Sequence, residues 1–169
     1  MLFVTFTVVN WIDVFTRPVY KEIVVESLNH CTEKKGLTIF GWCLMTNHIH
    51  MIAKTEDGIA MWQVIRDFKR FTNREIIKAI QENPESRRDW LLDKFHFAAK
   101  YNNDVNDYKF WQEGYAPFEI YSAEMFEQKI DYIHNNPVKA GIVAEPYHYL
   151  YSSAIDYAGG KGLVNVILA

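Results

Sequence analysis

The chain has 169 residues and a formal net charge of −3, with 18 Lys and Arg against 21 Asp and Glu. That length suits one domain, 1–169, with a core large enough to stand without disulfide or metal staples. The charge excludes a strongly basic, nonspecific nucleic-acid coat protein, so any nucleic-acid contact must come from a local patch.

Residues 2–10, LFVTFTVVN, are β-branched and aromatic with partial alternation, which predicts a strand rather than a signal peptide. Pro18 opens a helix whose apolar positions Ile23, Val24, Leu28 and Cys31 fall at helical spacing, and Gly36 is its natural stop. LTIFGWCLMT reads as a second strand, with a turn near Thr46 and Asn47, and a third strand starts at His48. The short link implies an antiparallel hairpin. Residues 59–81 carry the strongest helical stripe: Met61, Ile65, Phe68, Thr72, Ile76 and Ala79 on one side, Arg66, Arg70, Arg74 and Lys78 on another. Residues 82–109 are polar and read as a loop, with a short helical or strand piece around Trp90–Phe97. Residues 110–120 predict a strand with an irregularity near Gly114. Ser122 is a plausible N-cap for a helix that runs to about Asn135, where Pro137 stops it. LVNVILA ends the chain as a strand-like piece. No apolar run approaches the ~20 residues of a membrane span. The two cysteines, Cys31 and Cys43, lack a CxxC spacing, which argues against a thiolate metal site and fits a reduced, cytoplasmic setting.

The order strand–helix–strand–strand–helix–strand predicts an α+β, ferredoxin-like βαββαβ sandwich with an antiparallel sheet, plus an added C-terminal helix.

Three residue sets could carry chemistry. His48 and His50 are two apart on a strand, so both imidazoles share one face, where they could hold a divalent ion with open coordination positions. Such a pair alone is as readily two ordinary surface histidines. Tyr132 and Asn136 are four apart on one helix face, so a phenol nucleophile and a carboxamide oxygen could sit side by side. On spacing alone, a packed tyrosine and a helix-ending asparagine explain them better. Arg66, Lys69, Arg70 and Arg74 form a basic stripe suited to phosphates, or simply a solvated helix face. Trp62, Phe68 and Phe71 beside it are core or stacking platforms.

Taken together, MTNHIHMI, DYIHNNPVKAGIV and YLYSSAIDY resemble the HUH and tyrosine-helix motifs of the REP-associated tyrosine transposases and single-tyrosine insertion-sequence transposases. FVTFTVVNW, DFKRFTNR and FWQEGY match the family's order as well, so the resemblance covers nearly the whole chain. It implies a ferredoxin-like core with the tyrosine on the added helix. It implies metal ligands at His48, His50 and Asn136, with Mg²⁺ or Mn²⁺ as the ion, and Tyr132 as the nucleophile on single-stranded or hairpin DNA through a 5′-phosphotyrosine intermediate. The segment 82–109, with ENPESRRDW, departs from the family pattern. Two other readings are a hairpin-binding module without chemistry and a metal phosphoesterase using water. Monomer and homodimer both stay open, the second with the tyrosine helix serving the partner's histidine pair.

Overall fold

The computed structural model describes residues 1–101 and 107–169. Its frame is a four-stranded sheet in the order β2-β3-β1-β4, from β1 (Leu2–Thr7), β2 (Leu37–Leu44), β3 (His48–Thr55) and β4 (Phe118–Glu119). All three pairings are antiparallel. With α1 (Pro18–Lys34) after β1 and α2 (Met61–Glu82) after β3, this is the ferredoxin-like order expected from the sequence.

Alternation along the strands divides the core in two. Val4 and Phe6 of β1, with Ile49, Met51 and Ala53 of β3, face one way and meet Val24 and Leu28 of α1 and Val64, Ile65 and Phe68 of α2. Phe40 and Cys43 of β2 and Ile52 of β3 face the other way. They meet Phe126, Ile130 and Ile133 of the added helix, α4 (Ala123–Lys139). The two core helices thus cover one face and α4 the other. Cys31 and Cys43 are free and buried.

Five expectations need correction. The first strand ends at Thr7 rather than residue 10, because Val9–Trp11 make a short 3-10 turn with left-handed backbone at Asn10 and Trp11. Half of the 82–109 segment is a helix, α3 (Arg88–Tyr101), which takes in the piece expected around Trp90–Phe97 and extends it both ways, anchored by buried Leu91, Phe95, Ala98 and Ala99; residues 102–106 lie outside the described residues. The 110–120 strand shrinks to Phe118–Glu119, since positive φ at Gly114 and Ala116 breaks the extended run. Trp111 still makes an isolated bridge with Val8.

The fourth correction concerns α4, which runs through Pro137 to Lys139. The amides of Asn135 and Asn136 donate back to the carbonyls of Asp131 and Tyr132, and the proline is buried. Gly141 supplies the real stop. Its φ is 70°, its N–H donates to Val138 O, and Ile142 N–H donates to Pro137 O, which is a Schellman closure. Ser122 caps the other end as expected, accepting from Met125 N–H at 3.2 Å. Fifth, LVNVILA forms no strand, although Val164 is buried and Ile167 N–H donates to Ile39 O. Together with Tyr151–Ser153, which bonds Leu44 and Trp42, it covers the outer edge of β2.

Candidate functional site

His48 and His50 lie on the α4 face of β3, opposite Thr7 and Thr5 of β1. Their ring centroids are 4.7 Å apart. Each uses Nδ1 toward the protein. His48 Nδ1 is 2.7 Å from Asn47 Oδ1, and that amide's Nδ2 donates to Asp13 Oδ1 and Trp11 O. A carboxamide oxygen only accepts, so His48 Nδ1 carries the proton and Nε2 keeps its lone pair. His50 Nδ1 is 2.8 Å from Thr5 Oγ1. Among the described residues, neither Nε2 makes a hydrogen bond. Burial lowers the His48 pKa, against the pull of Asp13. Burial, then the charges of His48 and Lys129, pushes His50 down to about 3. Both imidazoles are therefore neutral near pH 7. The His48 Nε2 lone pair is free for a cation, and when Thr5 Oγ1 accepts from His50 Nδ1 the same holds for His50 Nε2. Their Nδ1 partners fix the ring orientation as outer partners of metal ligands do.

Among the described residues, no third His, Cys, Asp or Glu converges with this pair. A third protein ligand would have to be another oxygen donor.

Tyr132 comes from α4, which Ile130 and Ile133 press onto the sheet. Its ring is 5.2 Å from the His50 ring, at 65°, within the same chain. Phe3 stacks on His50 at 5.5 Å and meets Tyr132 edge-on. Tyr132 remains 41 % exposed, so a substrate can reach it. Lys129 and Lys139 hold their ammonium groups 5.9 and 5.6 Å from the Tyr132 ring centroid. Asn136 follows one turn later and is half-buried; its Nδ2 donates to Tyr132 O at 2.7 Å, which leaves Oδ1 as its free acceptor.

The basic stripe is elsewhere. α2 packs on the opposite face of the sheet, and its cations line an open groove of about 800 Å³ between α2 and residues 107–115. Arg70 is exposed there without an ion pair among the described residues. Arg66 pairs with Asp67 and lies over Trp62; Arg74 pairs with Glu75 and lies over Phe71. Lys69 is turned inward. It donates to the carbonyls of Gln112 and Gly114, and burial, then Lys109, lowers its pKa to about 8. It ties α2 to the 112–114 loop.

Sequence reasoning passed over Lys129, Lys139, Phe3, Thr5 and Asn47. Lys129 and Lys139 sit three before and seven after Tyr132, a helical spacing legible in the sequence. Phe3 and Thr5 needed the β1–β3 register.

No curated protein matches this chain. Among solved structures, it is similar to a REP-associated tyrosine transposase bound to a REP hairpin. The TM-score is 0.65 at 17% identity, over 98% of this chain and 84% of that one, a likeness of fold. A family model described as transposase, IS200-like, matches residues 4–104, which takes in the histidine pair and stops before Tyr132. On that match, the chain belongs to the IS200-like transposase family.

Proposed function

We propose that this transposase cleaves and rejoins single-stranded DNA beside a hairpin, with Tyr132 as nucleophile. His48 Nε2, His50 Nε2 and Asn136 Oδ1 would hold Mg²⁺ or Mn²⁺. The reading is carried by one observation, the Tyr132 ring against His50 in the same chain. When bound, the ion supplies Lewis-acid polarisation of the scissile phosphate. Two imidazoles suit Mn²⁺ better than Mg²⁺, which prefers oxygen donors.

The chain's own part is attack and charge balance. The Tyr132 oxygen bonds to phosphorus, and the bond from phosphorus to the 3′ oxygen breaks. The phenol proton passes to solvent, and the departing 3′ oxygen takes one up from solvent to end as a free 3′-hydroxyl. The 5′ phosphate stays on tyrosine. Attack by another 3′-hydroxyl reverses the step and releases Tyr132, with no external energy source. Lys129 and Lys139 stand where they would counter the phosphate's charge. The hairpin partner is inferred from the fold relative, whose solved structure holds a REP hairpin, and from the basic groove along α2.

The test is incubation of end-labelled hairpin DNA with Mn²⁺ and the wild-type chain, with covalent adducts scored on a denaturing gel. Tyr132→Phe should form no adduct and bind the hairpin as before. An adduct formed by that variant removes the assignment, and hairpin binding without any wild-type adduct leaves only a binding module.

A further inference from the structure

We infer that a notch beside His48 is a stacking subsite for one unpaired nucleobase of the single-stranded substrate, gripped by Trp11 and Trp90. The inference rests on the single-strand reading above and goes beyond it, because neither tryptophan takes part in cleavage.

Single exposed aromatics are ordinary on a protein surface and need no explanation. Here the arrangement is more specific. Trp11 is 58 % exposed, and both it and Asn10 hold left-handed backbone, φ 54° and 55°. For a residue with a bulky side chain, that conformation is costly and persists only when its surroundings impose it. The turn sets the indole edge-on to His48, with ring centroids 5.8 Å apart. Trp90 comes from a different element, α3, and is 48 % exposed. Both line one notch of about 420 Å³, within the range of small-ligand sites.

The charges around it suit a nucleotide. Lys94, one turn after Trp90 on α3, lines the notch, is exposed and has no ion pair among the described residues. Arg87 fixes the start of α3 to the turn by donating to Asp13 O at 2.8 Å and to Thr16 Oγ1 at 3.3 Å. The one carboxylate in the notch, Asp13, accepts from Asn47 Nδ2 at 2.9 Å. An indole platform with a free ammonium beside it is what binds an unpaired base and its phosphate. A paired base offers no exposed face to stack, so the notch selects single strands.

The probe is a fluorescein-labelled oligodeoxythymidylate of about ten nucleotides, within the usual site sizes, titrated with the full chain by fluorescence anisotropy. Trp90→Ala should weaken binding by roughly 5- to 100-fold, the loss of one stacked base, with the slope of log Kd against log salt unchanged. Trp90→Phe should recover most of the affinity. Lys94→Gln should lower that slope by about one. Phe97→Ala, which removes an exposed ring of α3 outside the notch, should bind as wild type. A single abasic position in the probe should reduce wild-type affinity to that of Trp90→Ala and cost the variant nothing further. If Trp11→Ala and Trp90→Ala both bind as wild type, while wild type still forms the Tyr132 adduct, the stacking subsite is wrong and the cleavage reading stands. If wild type binds no single strand the subsite falls, and the cleavage reading falls with it only where the hairpin adduct is absent too.

Discussion

Gly41→Ala would lift the tyrosine helix off the sheet, and the size of the effect follows from one contact. The register shifts between Ile39 and Gly41, so Phe40 and Gly41 both lie toward α4. A Cβ at Gly41 would overlap Ile130 Cδ1, with Ser153 Oγ next at 3.6 Å. Gly41 does not hold left-handed backbone, so the penalty is steric rather than conformational. Ile130 is 6 % exposed and cannot swing out freely. Overpacking of this kind costs about 1–3 kcal/mol, which for a chain of this size lowers Tm by roughly 2–12 °C. Ile130→Val removes the Cδ1 methyl in question. Alone it should cost about 0.5–1.5 kcal/mol, yet in the Gly41→Ala background it should be neutral or stabilising, a coupling of about 1 kcal/mol or more. Tyr132 is in the same turn of α4, and a displacement of about 1 Å can cost up to ~100-fold in rate. Adduct formation should therefore fall in Gly41→Ala and recover in the double variant. Melting temperatures and adduct rates of the four proteins decide it. Shifts that simply add would show that Ile130 is not what Gly41 accommodates.

Three further outcomes follow from other contacts. His134 is buried, with Nε2 2.8 Å from Ser153 Oγ, and burial, opposed by Asp131 and Asp156, pushes its pKa from 6.5 down to about 4. The unfolded chain then binds a proton that the native chain refuses, so stability is full above about pH 6.5 and falls toward pH 4, by up to about 3 kcal/mol. His134→Gln should flatten that part of a urea-midpoint against pH curve, and an unchanged slope would clear His134. Because Tyr132 meets His50 within one chain, mixing Tyr132→Phe with a His48→Ala/His50→Ala variant should yield no adduct beyond background; restored activity would mean a site shared between two copies. Arg70→Gln and Arg74→Gln should each lower the salt slope of hairpin binding by about one, whereas Lys69→Gln should cost Tm, because its ammonium holds the carbonyls of Gln112 and Gly114. A Lys69→Gln variant that loses salt slope at full Tm would contradict that division.

The cores of the first three strands, and two of the helix caps, were legible because they are local. Alternation in FVTFT and HIHMI set the faces, and Gly36 and Ser122 ended and began helices where their chemistry says they should. The failures share a cause. Around α3, the polar run before Arg88 outweighed the spacing of Leu91, Phe95, Ala98 and Ala99, which was helical all along. At Pro137, the rule for the preceding residue lost to a buried ring and two amides that cap the turn above it, while Gly141, visible in the same motif, did the stopping. The histidine pair and Tyr132 were readable as types and spacings. Their closeness was not, because it depends on the β1–β3 register and on Gly41 letting α4 approach. Which face of the sheet α2 takes is likewise a tertiary fact, and no stripe of charges on one helix reveals it.

That last point bears on how a substrate would reach both regions. The histidine pair and Tyr132 lie on the α4 face, and the α2 groove lies behind the sheet. A DNA touching both must pass around the sheet, and the edge of β2 is covered by Tyr151–Ser153 and Ile167. Two ways remain. One follows β4, where the groove residues Gln112–Tyr115 lead to exposed Phe118, and Lys129 sits 4.9 Å from Phe118 and 5.9 Å from Tyr132. The other crosses the end of β1, where Trp11 meets His48 and Trp90 shares its notch. A duplex stem is too wide to bend around a single strand edge, whereas an unpaired strand is flexible and can stack as it turns. On the function proposed above, the stem would lie on the groove and the single strand on the tyrosine face.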